Sequence, residues 1–318
     1  MKPGSCYELL TMNHQPLSKT LIVIAGPTAS GKTAVGIELA KHYRTVVVSA
    51  DSRQFYQEMS IGTAKPSPEE LAQAKHYFID SLSITETYTA GDYEKDALSL
   101  LDELFKIHNV VILVGGSGLF IKAVCEGFDV FPEIRPGVRE KLIEEFEANG
   151  LGYLQEKLRS ADPAYYSQVD LNNSQRVIRA LEVFESSGAP YSSFRTSGSM
   201  ERPFRVVKIG LSVERAALYD HINRRVDDMI KRGLVDEARA LLPYRHLNAL
   251  NTVGYTELFN YFNGNTDLDT AIAAIKQNTR RFAKRQMTWF NKDKEITWLA
   301  ADKGCVADKI AALADNLV

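Results

Sequence analysis

The chain has 318 residues, 45% of them hydrophobic and 25% charged, and a formal net charge of −2. It is long enough to bury a sizeable core as one large domain or two smaller ones, and the near-neutral balance excludes a generally basic nucleic-acid protein, so any RNA site must be built from local patches. Cys6, Cys125 and Cys305 are far apart, odd in number and in no metal-ligand spacing, which fits structural cysteines in a reducing compartment. No apolar run is long enough to span a bilayer, and the N-terminal stretch has neither signal nor transit character. A cytoplasmic monomer with no membrane partner is expected.

Residues 1–19 carry polar and proline punctuation without periodicity and read as a loose tail. Thr20-Leu-Ile-Val-Ile-Ala25 is a continuous apolar run, followed by a glycine-rich turn and by Lys32 to Tyr43 in helical spacing. That order is strand, loop, helix. Further β-branched runs, Thr45 to Ser49 and Asn109 to Val114, flank a helix predicted near Tyr93 to Ile107, as buried parallel strands with crossover helices require. From Pro132 the texture changes to charged helical stretches, Val138 to Asn149 and Ser174 to Ser187, closing in the polar segment Ser192 to Arg202. A strand over Phe204 to Val213, helices, and a last strand near Ile296 to Leu299 follow. The expected architecture is a parallel α/β core (20–131 and 204–318) of the phosphate-loop NTPase-like class, carrying an all-helical insertion (132–203).

Gly26-Pro-Thr-Ala-Ser-Gly-Lys-Thr33 matches GxxxxGK[ST] between a predicted strand and helix, the context that makes the pattern credible. Its backbone N–H groups, from Gly26, Thr28, Ala29, Ser30 and Gly31 onward, would face a phosphate at a helix N-terminus, while Lys32 neutralises oxygens and Thr33 ligates Mg2+. A diphosphate or longer group is implied. The third strand ends in Val114-Gly-Gly116, without the acidic residue of an ATPase metal site, which disfavours nucleotide hydrolysis. Asp51, with Ser52, Arg53 and Gln54, leaves the carboxyl end of the second strand, where open α/β sheets bind ligands. It can face the phosphate or serve as an Asx-turn residue.

Together with the phosphate loop, the blocks Ala50-Asp-Ser-Arg-Gln54, Ile61-Gly-Thr-Ala-Lys-Pro66, Tyr88-Thr-Ala-Gly-Asp-Tyr93, Gly115-Gly-Ser-Gly-Leu-Phe-Ile-Lys122, Arg176-Val-Ile-Arg-Ala-Leu-Glu-Val183, Arg225 to Leu234, Val253-Gly-Tyr255 and Thr279-Arg-Arg-Phe-Ala-Lys-Arg-Gln286 resemble the tRNA dimethylallyltransferase family. The likeness runs from about Ile22 to Trp298, and the missing zinc-finger extension suggests the bacterial type. Ser117 and Phe120 stand where the family has Thr and Tyr, Leu171-Asn-Asn173 replaces Pro-Asn-Asp, and His221 stands where an Arg is common.

The resemblance implies transfer of a dimethylallyl group from dimethylallyl diphosphate to N6 of an adenosine beside the anticodon, with Mg2+ as cofactor and the tRNA anticodon stem-loop as partner. Asp51 would then be the general base, and Arg225, otherwise a surface charge pairing on its own helix, would with the loop stabilise the leaving diphosphate; Ser117 would touch base or ribose, or else stabilise its glycine-flanked turn. The adenosine would enter a channel from the side opposite the diphosphate. Asp51, Ser52, Arg53, Gln54, Ser117, Gln175, Arg176, Arg179, Val253, Gly254 and Tyr255 match tRNA-contacting regions, with Arg139 a further candidate. Arg280, Arg281, Lys284 and Arg285 form the densest basic cluster and suit backbone phosphates, or simply a charged helix face. Three other readings stay open on the residues: a small-metabolite kinase with a phosphate loop, a non-catalytic RNA-binding or regulatory phosphate-loop protein, which would leave Asp51 without a purpose, and a related prenyltransferase acting on free adenine nucleotides.

Overall fold

A computed structural model describes residues 19–195, 200–301 and 306–316. Cys6, Cys305, all but Lys19 of the N-terminal tail, and part of the 192–202 segment lie outside them. A six-stranded parallel sheet runs in the order β3-β2-β4-β1-β5-β6, with β1 Thr20–Ala25, β2 Val47–Ser49, β3 His76–Tyr77, β4 Val110–Val114, β5 Arg205–Ser212 and β6 Thr297–Ala300. Every residue of β1 and β4 is buried, because helices cover both faces and side chains alternate between them.

The alternation is explicit in β1. Leu21, Val23 and Ala25 pack with Tyr93, Ala97 and Leu101 of helix Ala90–Leu104 and with Ile121 and Val124 of helix Gly118–Glu126. Ile22 and Ile24 pack on the other face with Val35, Leu39 and Ala40 of helix Lys32–His42 and with Ile310, Ala311 and Ala314 of helix Val306–Asn316. Strand β3 was not predicted, since two residues carry no periodicity.

A third cluster gathers Tyr56, Met59 and Ile84 with helices Arg215–Lys231, Leu234–Leu241, Tyr255–Phe262 and Leu268–Phe290 around the fully buried Tyr255. These helices supply part of the lining of the larger cavity described below.

The described residues form two compact units, one ending at Cys125 and resuming at Arg202, the other Glu126–Glu201. The second has its own core, in which Leu142, Leu154 and Leu158 meet Val177, Ile178 and Leu181. Its helix Val138–Ala161 breaks at Gly150, whose φ is 77°, so the predicted end at Asn149 marks the break and helix resumes after it. Helix Ser174–Ser187 starts where Asn173 accepts from the Arg176 N–H at 3.2 Å, a side-chain cap that the proline-free Leu171-Asn-Asn173 sequence supplies.

Candidate active site

The phosphate loop joins β1 to helix Lys32–His42 over residues 26–31. Gly26 has φ of 146°, and a Cβ there would lie 2.9 Å from the Leu211 carbonyl oxygen, so only glycine lets the chain pass β5 this closely. Ala29 and Gly31 also take positive φ, 63° and 85°, which curls the backbone toward the helix N-terminus. No side chain caps that terminus, which leaves its N–H groups and dipole available to an anion. Lys32 folds back to donate to the Pro27 carbonyl at 2.6 Å. Burial, with Arg225 nearby and Asp51 only partly compensating, pulls the Lys32 ammonium down to about 7.

Gln286 was not foreseen as part of this loop. It is buried in helix Leu268–Phe290, accepts from the Thr28 N–H at 2.8 Å and donates to the Gly116 carbonyl at 2.9 Å. The Thr28 N–H is therefore engaged within the protein, and Thr28 faces the site by its side of the loop, not by that donor. Ser30 is buried and its Oγ has no hydrogen-bond partner among the described residues.

The second wall is the exit of β2. Asp51 Oδ1 accepts from the Arg53 N–H at 3.0 Å, the Asx-turn geometry, and Oδ2 has no hydrogen-bond partner among the described residues. Ser117, in the loop after β4, accepts from the Ser52 N–H at 3.0 Å and donates to the Ser52 hydroxyl at 3.1 Å. Its hydroxyl thus ties the β2 and β4 exits together. Burial lowers the Arg53 guanidinium below its ordinary value.

Loop 60–66 is the third wall, and its anchor was also missed. Glu237, from helix Leu234–Leu241, accepts from the N–H groups of Ser60 (3.0 Å), Ile61 (2.7 Å) and Gly62 (2.9 Å) and from the Tyr255 hydroxyl (2.6 Å). The far end of that loop presents the Ala64 carbonyl to Gln54 Nε2 at 3.2 Å and to Arg225 Nη2 at 3.4 Å. Burial pulls the Arg225 guanidinium below its ordinary value, with Asp51 opposing the shift. Tyr255 has no exposed surface; its predicted place among RNA contacts is corrected to a support beneath loop 60–66. Burial beside Glu237 pushes its phenol up.

Two adjoining cavities result. The smaller, about 380 Å3, is lined by the phosphate loop with Asp51, Gln54, Arg225 and Arg232. The larger, about 770 Å3, is lined by Arg53, Ser117, Val253, Gly254, Phe282, Arg285 and Trp289 among others. Thr28, Asp51, Thr63, Ala64, Gly116, Arg225, Phe282 and Gln286 line both. Asp51 and Arg225 therefore stand at the junction of a polar cleft and a wider, partly apolar chamber.

Among the described residues, no cluster of three or more His, Cys, Asp or Glu side chains is placed to cage a metal. Thr33 lines the smaller cavity with Asp51, and its hydroxyl has no hydrogen-bond partner among the described residues. That sparse donor set suits Mg2+, which takes few protein ligands and completes its shell with water and substrate phosphate.

The remaining predicted contacts divide by environment. Arg280 donates to Asn223 Oδ1 at 2.6 Å, and Arg281 to Asn278 Oδ1 at 3.2 Å; Lys284 and Arg285 are exposed on the same helix. In the second unit Gln175 and Arg176 are exposed, whereas Arg139 and Arg179 both pair with the buried Glu182. Arg139 also donates to Gln175 Oε1 at 2.9 Å.

A phosphate loop at the end of a parallel sheet, with its cleft opening onto a second chamber past a shared carboxylate and guanidinium, defines an enzyme of the phosphate-loop-like fold with two adjoining cavities. The chain belongs to the IPP transferase family, whose family model matches residues 54–293. It is 54% identical over 287 residues to a tRNA dimethylallyltransferase of Christiangramia forsetii, covering 90% of this chain and 95% of the relative. It is 51% identical over 286 residues to one of Flavobacterium johnsoniae, covering 88% and 93%. Among solved structures, a tRNA isopentenylpyrophosphate transferase from Bacillus halodurans superposes with a TM-score of 0.69 at 37% identity, covering 94% of this chain and 96% of that one. A eukaryotic dimethylallyltransferase acting on tRNA shares the fold, with a TM-score of 0.79 at 23% identity over 94% and 78%.

Proposed function

We propose that this enzyme transfers the dimethylallyl group of dimethylallyl diphosphate to the exocyclic N6 of an adenosine in the tRNA anticodon stem-loop. The names of its relatives support the substrate pair. The observation that carries the reading for this chain is that Asp51 and Arg225 line both cavities, so the diphosphate and the base can meet at one point from opposite sides.

In this reaction N6 attacks C1 of the donor, the N6–C1 bond forms, the C1–O bond breaks, and diphosphate leaves with its electrons. The N6 lone pair is delocalised and weakly nucleophilic, so a carboxylate taking the N6 proton contributes on the order of 10²–10⁴-fold. Asp51 suits this role because Arg53 N–H holds one oxygen and leaves the other to face the acceptor. Charge gathering on the diphosphate is met by loop N–H groups, Lys32 and Arg225, which act more strongly as the bond breaks. A bound diphosphate returns Lys32 to its charged form. Mg2+ held by Thr33 and the diphosphate would neutralise further charge. Ser117 keeps the two loop exits together and holds Asp51's neighbour Ser52 in place.

Incubation with labelled dimethylallyl diphosphate and either bulk tRNA or AMP tests the proposal. Label is expected in tRNA alone. Transfer to AMP would replace the acceptor, and thermal protection by ATP greater than by dimethylallyl diphosphate would favour a kinase.

A further inference from the structure

The smaller cavity is cationic, with Lys32, Arg225 and Arg232 in its lining, yet it is also lined by two groups of the opposite kind, Glu70 and His76. Binding of a bare anion does not account for them. Glu70 closes a capping box at the short helix Pro68–Leu71: its Oε2 accepts from the Ser67 N–H at 2.8 Å, and its own N–H donates to Ser67 Oγ at 3.2 Å. The carboxylate is thereby held in one direction, and its Oε1 has no hydrogen-bond partner among the described residues. No ion pair among the described residues engages it, whereas Asp80 pairs with Lys65.

His76 belongs to β3, where it pairs with Val47 of β2, so its backbone is fixed to the sheet edge. Its Nδ1 lies 2.8 Å from the Ala74 carbonyl oxygen. A carbonyl only accepts, so Nδ1 carries the ring hydrogen and Nε2 keeps a lone pair. Burial lowers the imidazole below its ordinary value, which favours this neutral form. Nε2 has no hydrogen-bond partner among the described residues. Two acceptors, one charged and one neutral, thus stand open in the lining of the cavity that also contains Thr33. Direct ligation by them does not fit, because no cluster of three or more His, Cys, Asp or Glu side chains among the described residues is placed to hold an ion. They suit instead the hydrogens of water bound to one. Mg2+ gives up its waters reluctantly, and acceptors placed beyond such waters orient the ligands and set the affinity for the ion.

We infer that Glu70 and His76 hold hydrated Mg2+ against the donor phosphates by accepting hydrogen bonds from its waters, while Thr33 and the diphosphate bind the ion itself. The inference rests on Mg2+ being the ion at Thr33 and is independent of which acceptor takes the prenyl group. Glu70 also favours the charged form of Arg225, so the competing account is that it only balances that guanidinium.

Inorganic diphosphate is the probe, and its thermal protection of the protein is followed against Mg2+ concentration and in EDTA. In EDTA, Glu70→Gln should tighten diphosphate binding, because a negative charge beside the phosphates is gone. With Mg2+ the same variant should bind diphosphate more weakly, and the Mg2+ concentration giving half-maximal protection should rise about tenfold or more. His76→Leu should raise that concentration similarly, and His76→Gln, whose amide oxygen can accept, should restore most of it. Weakening of diphosphate by Glu70→Gln to the same degree with and without Mg2+ overturns the inference and leaves Glu70 as a partner of Arg225 alone. A parental Mg2+ requirement in both Glu70→Gln and His76→Leu also overturns it. A parent protein whose diphosphate binding ignores divalent ions overturns the Mg2+ assignment as well, whereas failure to prenylate tRNA refutes the proposed acceptor and leaves this inference standing.

Discussion

Replacing Glu237 by glutamine would test whether the site depends on a carboxylate that touches neither cavity's chemistry. The carboxylate accepts four hydrogen bonds, three from consecutive backbone N–H groups and one from Tyr255. Glutamine retains one acceptor oxygen and turns an NH2 group toward the other two donors. Hydrogen bonds to a charged group contribute about 1.5–3 kcal/mol each, so two losses nominally cost about 3–6 kcal/mol. Water repays part of this, because Ser60 is exposed, and a net loss of about 2–4 kcal/mol is expected. For a chain of this size that is a fall in melting temperature on the order of 5–10 °C. Loop 60–66 also carries the carbonyl that holds Arg225, so single-turnover transfer should fall at temperatures where the variant remains folded. The effect should be non-additive with Arg225→Ala, since both act through one guanidinium. Parental melting and parental transfer in Glu237→Gln, or strict additivity with Arg225→Ala, would refute the reasoning.

Asp51→Asn keeps the turn to Arg53 and removes the proton acceptor; single-turnover transfer should drop by on the order of 10² or more with affinities and melting temperature nearly unchanged. Near-parental transfer would remove Asp51 as the base. Because Lys32 is held near 7 in the free protein, donor binding above that pH should take up a proton, measurable by calorimetry in buffers of different ionisation enthalpy. The free protein binds fewer protons than its unfolded chain between pH 7 and the ordinary lysine value, so Lys32 makes stability rise with pH across that window. Lys32→Ala should abolish both effects and weaken donor binding and transfer together. Gln286→Leu leaves the Thr28 N–H and the Gly116 carbonyl without partners, at about 1–3 kcal/mol each, and should lower the melting temperature and the donor affinity; unchanged values of both would show that the bridge is dispensable.

The parts legible in the sequence were those written in local patterns. β1 and β4 read as buried strands because both faces are covered, and the phosphate loop read as such because its motif and flanking elements are contiguous. Gln286 and Glu237 escaped because their partners are remote: Gln286 reaches a residue 258 positions away and Glu237 one 175 away. A lone Gln in a basic helix or a Glu after Gly233 carries no local mark of such a role. Tyr255 was misplaced because an aromatic residue beside a motif looks alike whether it lines a cavity or fills a core. Arg139 and Arg179 were named as candidate contacts from their helix face alone; that both pair with the buried Glu182 is a tertiary fact that no local pattern marks.

The sheet order also dictates when the donor site can exist during synthesis. Strand β1 needs β4 on one side and β5 on the other, and helix Lys32–His42 needs helix Val306–Asn316, with Tyr43 donating to the Ala311 carbonyl at 3.3 Å and to Asp315 at 3.0 Å. A ribosome that has just made the phosphate loop must translate the whole 126–201 unit before β5 emerges, roughly 10–35 s at usual elongation rates. Through that interval the inserted unit can complete its own core, while β1 exposes a bare edge of the kind that recruits other strands. The nascent chain is therefore most vulnerable to aggregation, and most in need of a chaperone, midway through translation, and the donor site becomes the last part of the enzyme to close.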